Sequence, residues 1–458
     1  VRFVHESGQP THTTGMFFAG GGTWKFRFCG TRPGRWRFTT KSSDAELNGH
    51  RGSIRIEANT DRYGFVVGVG DKWARQRGPA GQPEAFVPQF VMYASPHLFH
   101  RKPKMIDRDI RTFIVEHGFT GFHVPINCRW FDLDQAASSQ IDSDDPDPDP
   151  RTFEALEVLI TKVHAAGGTV HLWAWGDESR RQTPIKWGIN GQADRRLQRY
   201  LAARLGPIPG WSIGYGFDLW EWVEGPQLTE WHRHLHAHLG WPHLLGGRAH
   251  KNRLTQISES LDYSSYEQHR PDFATYKATI ARRPKKPSFS EDRFRIRQSR
   301  QYAAKDYTEV MTRRGLWHSA MAGGVANIWG NLQGDFAVNR GEGVSKPYSE
   351  RHWIKTFNVF FHDRGRFTLD SLHAARLSDG SGLRRPTKGH FVFYKEDTRV
   401  LTIDLSSMNR NQPAVAVDTT RGYREISLGR LSPGKHELRF PRRSDWAVAV
   451  GTFNPRRK

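Results

Sequence analysis

Two carboxylates stand where strand-like runs end. Glu291 lies in "KPSFSED", and Asp218 closes "GWSIGYGFD", with Glu221 and Glu224 just beyond it in "LWEWVEG". Acids projecting from two strand ends into one cleft can cleave a glycosidic bond: one protonates the leaving oxygen while the other attacks or supports the anomeric carbon. Asp218 ends its apolar run directly, whereas Glu221 and Glu224 are three apart and would share the face of a following helical turn. Asp218 is therefore the preferred partner of Glu291, and Glu221 its rival. Asp is one methylene shorter than Glu, so the gap between the two acids, and with it retention or inversion, is not legible. Taken singly, each acid could equally cap a helix or pair with an arginine.

Other polar and aromatic residues recur at the ends of similar runs. They are Asn127, Arg129 and Trp130 in "NCRW", His171, Trp173 and Trp175 in "HLWAW", and Arg248 and His250 in "GRAH". Tyr266, Glu267 and His269 follow in "YEQH", then Arg293 after "SED", and Trp329 and Asn331 in "IWGN". Trp and Tyr offer flat apolar faces to sugar rings, and Arg129, Arg248, His250, His269 and Arg293 could give charge-assisted hydrogen bonds to sulfate or carboxylate. With Glu221 added and Glu267 and Asn331 set aside, these form the candidate substrate-binding set.

The elements that must position them follow from periodicity. Eight apolar runs, from "FVPQFVMYA" to "GGVANIWGN", are mostly separated by helix-like stretches such as "TFEALEVLITKVHAAGG", in which Phe153, Leu156, Ile160 and Val163 share a face. This α/β pattern predicts a (β/α)8 TIM barrel over residues 71–363, whose active site sits at the carboxyl ends of its strands. No Gly-rich phosphate turn follows the first run, which disfavours an open dinucleotide-binding sheet. Residues 1–70 alternate as short strands, with "GTWKFRFCGTRPGRWRFTT" reading as a hairpin, and form a small or truncated β-sandwich module. Residues 364–458 revert to alternation and read as a C-terminal β-sandwich.

Bulk properties narrow the partners. A net charge of +21 concentrates polyanions at the surface. No nucleic-acid recognition module is recognisable, so an acidic glycan is the expected partner and nucleic acid is not. Two cysteines, Cys29 and Cys128, exclude a cysteine-metal site by count. The histidines of "WHRHLHAHLGWPH" carry i,i+4 spacing on two helix faces without an HExxH motif, and "DSDDPDPDP" reads as a solvated loop rather than a calcium site. No metal and no cofactor is expected. No apolar run is long enough to span a bilayer, and a start at Val1 leaves export open; for a protein acting on an acidic polysaccharide, a secreted or periplasmic location is expected.

The stretch "GMFFAGGGTWKFRFCGTRPGRWRFTTKSSDAELNGHRGSI", followed by "YGFVV", resembles the small β-sandwich ahead of many bacterial clan A glycoside hydrolases of the apiosidase-like type. "WSIGYGFD" sits where that clan has its strand-4 acid/base and "FSED" where its strand-7 nucleophile belongs. The resemblance implies a retaining glycoside hydrolase with Glu291 as nucleophile, Asp218 as acid/base and Tyr266 beside Glu291. One departure is the lack of the clan's common strand-4 Asn-Glu dipeptide; apiosidase-like relatives use Asp there. The expected activity is hydrolysis of a sulfated or uronic polysaccharide or its oligosaccharides. The alternatives are a non-catalytic carbohydrate-binding protein and a hydrolase of neutral plant-type glycans.

Overall fold

The computed structural model describes residues 1–59, 62–78, 80–249, 259–266, 271–294, 307–330, 347–374, 376–385 and 389–455. Its centre is a ring of parallel strands: β1 (Gln89–Met92), β2 (Gly121–Pro125), β3 (Thr169–Trp175), β4 (Trp211–Gly216), β5 (Leu245–Gly246 and Arg248–Ala249), β6 (Ser264–Tyr266), β7 (Ser288–Phe294) and β8 (Val325–Trp329). The first piece of β5 pairs with β4 and the second with β6, while β8 pairs with β1, so the two pieces either side of Gly247 close the ring. Each of the eight runs named from the sequence is one of these strands. Buried on both faces, such strands carry apolar residues almost continuously, which is why they stand out.

Helices cover the outside. α1 (Pro150–Ala165) starts where the Asp149 carboxylate accepts from the Arg151 amide and buries Phe153, Leu156, Leu159, Ile160 and Val163. It gives way to Gly167, at a left-handed φ of 79°. α2 (Gln192–Leu205) and α3 (Gly225–Leu239) follow, and α3 turns Leu228, Trp231, Leu235 and Leu239 inward. That apolar stripe leaves the histidines of α3 toward its flanks.

Inside the ring, side chains stack along the axis. Trp73 closes the lower end from an antiparallel sheet (Tyr63–Val69, Lys72–Arg77, Gln82–Ala85), with its indole N–H on the Ser288 carbonyl at 2.9 Å. Phe289 meets it edge-on at 5.7 Å, and Phe90, Tyr263 and His171 pack around Phe289. Above them come Glu291 and Trp173, then Phe217, whose ring centroid lies 4.7 Å from that of Trp173.

Antiparallel sheets flank the barrel at both ends. The N-terminal one orders Thr11–Thr13, Arg2–His5, Gly34–Thr39 and Arg51–Ile56. Here the expected hairpin is corrected: Trp24–Lys25 pairs with Phe17–Phe18, while Gly34–Thr39 pairs with Arg2–His5 and Arg51–Ile56. Phe28 stacks on Phe3 at 4.2 Å and Phe26 tilts against Phe38 at 5.2 Å, so their alternation marks an aromatic layer laid over the sheet instead of a strand within it. At the other end a six-stranded sheet is built on the long pair His390–Asp404 and Lys435–Val450. Cys29 and Cys128 are free thiols, which burial pushes up to about 11 and about 12 respectively. No helix among the described residues is long and apolar enough to cross a membrane.

Candidate active site

Glu291 occupies an irregularity in β7. The β7–β8 register runs Ser290 to Asn327 and then jumps to Arg293 opposite Ile328, leaving Glu291 and Asp292 in a bulge. Bulges re-aim side chains and gather beside active sites. The carboxylate enters the barrel interior, where the Trp173 indole N–H donates to Oε2 at 3.1 Å and the Tyr263 hydroxyl to Oε1 at 3.2 Å. Among the described residues no lysine or arginine pairs with it.

A hydrogen-bonded chain stands behind Tyr263. His171 Nε2 lies 2.8 Å from the Tyr263 oxygen and 3.4 Å from Glu291 Oε1, and His171 Nδ1 lies 2.7 Å from His123 Nδ1. With Tyr263 donating to Glu291, its oxygen accepts from His171 Nε2–H, and in a neutral His171 the Nδ1 then accepts the proton of His123 Nδ1. This single arrangement needs a neutral His171, and burial lowers the pKa of that ring. The chain fixes the phenol that fixes the carboxylate.

Gly214 on β4 makes room for the carboxylate. A Cβ there would lie 3.0 Å from Glu291 Oε1 and 3.2 Å from both Trp173 Cδ1 and the Tyr263 hydroxyl. Gly214→Ala is expected to displace Glu291 without unfolding the barrel. A shift of about 1 Å costs up to roughly 100-fold in rate, which kcat on any turned-over substrate would reveal beside an unchanged circular dichroism spectrum.

The second acid group stands at the mouth. Asp218 takes a left-handed conformation (φ 50°) at the end of β4 and its carboxylate is held by the buried guanidinium of Arg248. Glu221, on the turn Leu219–Glu221, is exposed; its amide donates to the Asp218 carbonyl at 3.0 Å, and its carboxylate makes no hydrogen bond or ion pair among the described residues. Its pKa is raised by partial burial and by the neighbouring Asp218 and Asp177 carboxylates, with Arg248 opposing. Phe217 lies between this group and Trp173, under the guanidinium groups of Arg248 and Arg180 at 5.8 and 6.0 Å.

The sequence reading sets both acids at the rim. Asp218 is there, its side chain 26 % exposed, whereas Glu291 is fully enclosed. Among the described residues, Trp173 and Tyr263 stand against its two oxygens. Asn127, after β2, has a φ of 59° and a buried side-chain oxygen without a partner, as suits an acceptor awaiting a hydroxyl. Arg129 donates to the Leu133 carbonyl at 2.6 Å, and burial lowers its pKa to about 10.

Three of the expected sugar platforms are corrected. Trp130 is buried with its N–H on the Ala174 carbonyl at 2.9 Å, Trp329 with its N–H on Gln89 Oε1 at 2.6 Å, and Trp175 packs on Phe131 at 6.1 Å. Enclosed in the packed core, these indoles present no face to a sugar. His250, Glu267, His269 and Asn331 lie outside the described residues, as do the side chains of Tyr266 and Arg293. The sequence reading missed Tyr263, His123, Gly214 and Asp177. Period-two alternation with Ser265 was the available signal for Tyr263; the others carry no local signal.

A closed ring of parallel strands with outer helices defines the (β/α)8 class, whose active sites sit at the carboxyl-terminal face. The comparisons fit that class. Residues 1–43 match a domain of unknown function, DUF5060. No curated protein matches the chain. A solved structure from Bacteroides vulgatus ATCC 8482, provisionally named a glycoside hydrolase, is similar over 99 % of this chain and 95 % of its own, with a TM-score of 0.70 and 14 % identity. A glycoside hydrolase family 5 structure from the same organism is similar over 83 % of this chain and 91 % of its own, with a TM-score of 0.58 and 13 % identity. Likeness at this identity establishes the shared fold.

Proposed function

We propose that the protein is a retaining glycoside hydrolase in which Glu291 is the nucleophile. One observation carries the reading: a carboxylate at a strand-7 bulge, gripped on both oxygens by neutral donors, below a second group of acids at the end of strand 4. Sequence preference gives the proton donor's part to Asp218, but its carboxylate is engaged by Arg248. Glu221 presents a carboxylate with no ion pair among the described residues at the same mouth, and its pKa is shifted upward, the direction that favours a general acid, so we assign proton donation to Glu221 and positioning of Arg248 to Asp218. The apiosidase-like resemblance and the names of the similar structures support the class of reaction and, through the clan, retention.

Glu221→Gln is expected to lower kcat on substrates with poor leaving groups by about 10²–10⁴-fold and to spare aryl glycosides that leave without protonation. Activity should be present below the raised pKa of Glu221 and fall as pH rises through it; the variant should lose that alkaline limb. An Asp218→Asn variant with this same signature would return the role to Asp218.

Support for an acidic substrate rests on the net charge of +21. Two mouth arginines are already paired, Arg248 with Asp218 and Arg180 with Asp177. Reducing-end release from sulfated, uronate-containing and neutral polysaccharides is the test. Cleavage of neutral chains alone would reject the acidic preference, and a polysaccharide substrate in turn calls for a secreted or periplasmic enzyme. The enclosure of Glu291 favours a second reading, carbohydrate binding without turnover, which glycan binding with no product on prolonged incubation would establish.

A further inference from the structure

The histidine-rich helix α3 presents a second constellation of chemistry. His232 and His236, one turn apart, face the same way, and Asp262, just ahead of β6, meets both. Its Oδ1 lies 3.0 Å from His232 Nε2 and its Oδ2 2.7 Å from His236 Nε2, and the candidate ligand atoms all fall within 4.8 Å of one another. The Leu245 amide donates to Asp262 Oδ2 at 2.8 Å and fixes the carboxylate from behind.

We propose that His232, His236 and Asp262 form a structural site for a divalent transition metal of the zinc class, with water completing a four-coordinate shell. Two imidazoles and a carboxylate are ligands suited to such an ion, and a backbone donor behind the carboxylate is the kind of support that orients a ligand. Without the ion, the protons shared between the rings and the carboxylate hold the three groups together. When the ion binds, each Nε2 gives its lone pair to the metal and the ring proton resides on Nδ1. The nearby Lys286 ammonium is committed elsewhere, to the carbonyls of Glu259 and Leu261.

The site's place in the fold defines its role. It joins α3 to the chain entering β5 and β6, at the amino-terminal end of the barrel, the face associated with stability rather than catalysis. It is therefore independent of the glycan chemistry. The same helix contains an internal control: His234 and His238 repeat the spacing with rings 4.4 Å apart, but His238 Nδ1 bonds to the His234 carbonyl at 2.8 Å and no carboxylate joins them in a described ligand cluster.

Titration of the full chain with Zn²⁺, and with Co²⁺ for its visible spectrum, tests the site. One equivalent should bind, with the intense absorption of four-coordinate cobalt. Affinity should weaken by at least about tenfold in His232→Gln and in Asp262→Asn and stay unchanged in His234→Gln. His232→Gln decides the matter if loss of the Asp262 carboxylate prevents folding. Absence of stoichiometric binding, a weak six-coordinate cobalt spectrum, or a loss in His234→Gln equal to that in His232→Gln would overturn the proposal.

Discussion

Glu291→Gln is expected to cut turnover by on the order of 10⁴-fold or more, the scale seen when a nucleophile is removed from an enzyme that attacks covalently. Glutamine keeps the volume of the side chain but offers one carbonyl oxygen where the carboxylate satisfies two donors, the Trp173 indole N–H and the Tyr263 hydroxyl. One of them must then face an amide NH₂. Because the site is fully enclosed, that mismatch should cost about 1–3 kcal/mol, which is too little to unfold a domain of ordinary stability. Kinetics and urea unfolding measured on one preparation therefore separate chemistry from folding. Retained activity would remove Glu291 from the reaction.

Trp73→Ala should have the largest effect on stability, about 3–5 kcal/mol by equilibrium unfolding. The ring is 1 % exposed, lies 5.0 Å from Tyr263 and 5.7 Å from Phe289, and donates to the carbonyl of Ser288. Its removal leaves a void under the barrel and takes one donor from the Ser288 carbonyl at the start of β7. Tyr263 would lose the packing that aims its hydroxyl at Glu291, so activity in the folded fraction should fall as well. A change below about 1 kcal/mol would mean that the lower end of the barrel is closed by other contacts.

The barrel was legible because its strands are buried on both faces and read as apolar runs bounded by Gly, Asp or Asn. Glu291 and Asp218 stood out for the same reason, as acids ending such runs. Contacts between distant strands were not legible. Nothing in "GFD" and "GRAH" says that Asp218 would meet Arg248, and no spacing motif joins Asp262 to His232 and His236. Tyr266, nearest the strand end, was the expected neighbour of Glu291. The side chain of Tyr266 lies outside the described residues; among those described, the phenol that reaches Glu291 is Tyr263, just ahead of the strand, since a long side chain can span the interior from below. Trp130, Trp175 and Trp329 show a further limit: an aromatic residue near a strand end suits a sugar platform and a packed core equally well, and only the neighbouring helices decide between them.

The central claim is that Glu291 bonds covalently to a sugar carbon, and trapping that bond tests it most directly. Incubation with a panel of activated 2-deoxy-2-fluoro glycosides, followed by intact-mass and peptide mass spectrometry, should show one glycosyl adduct, carried on Glu291. An adduct on another carboxylate, or an inverted anomeric product from a substrate the protein turns over, would contradict it.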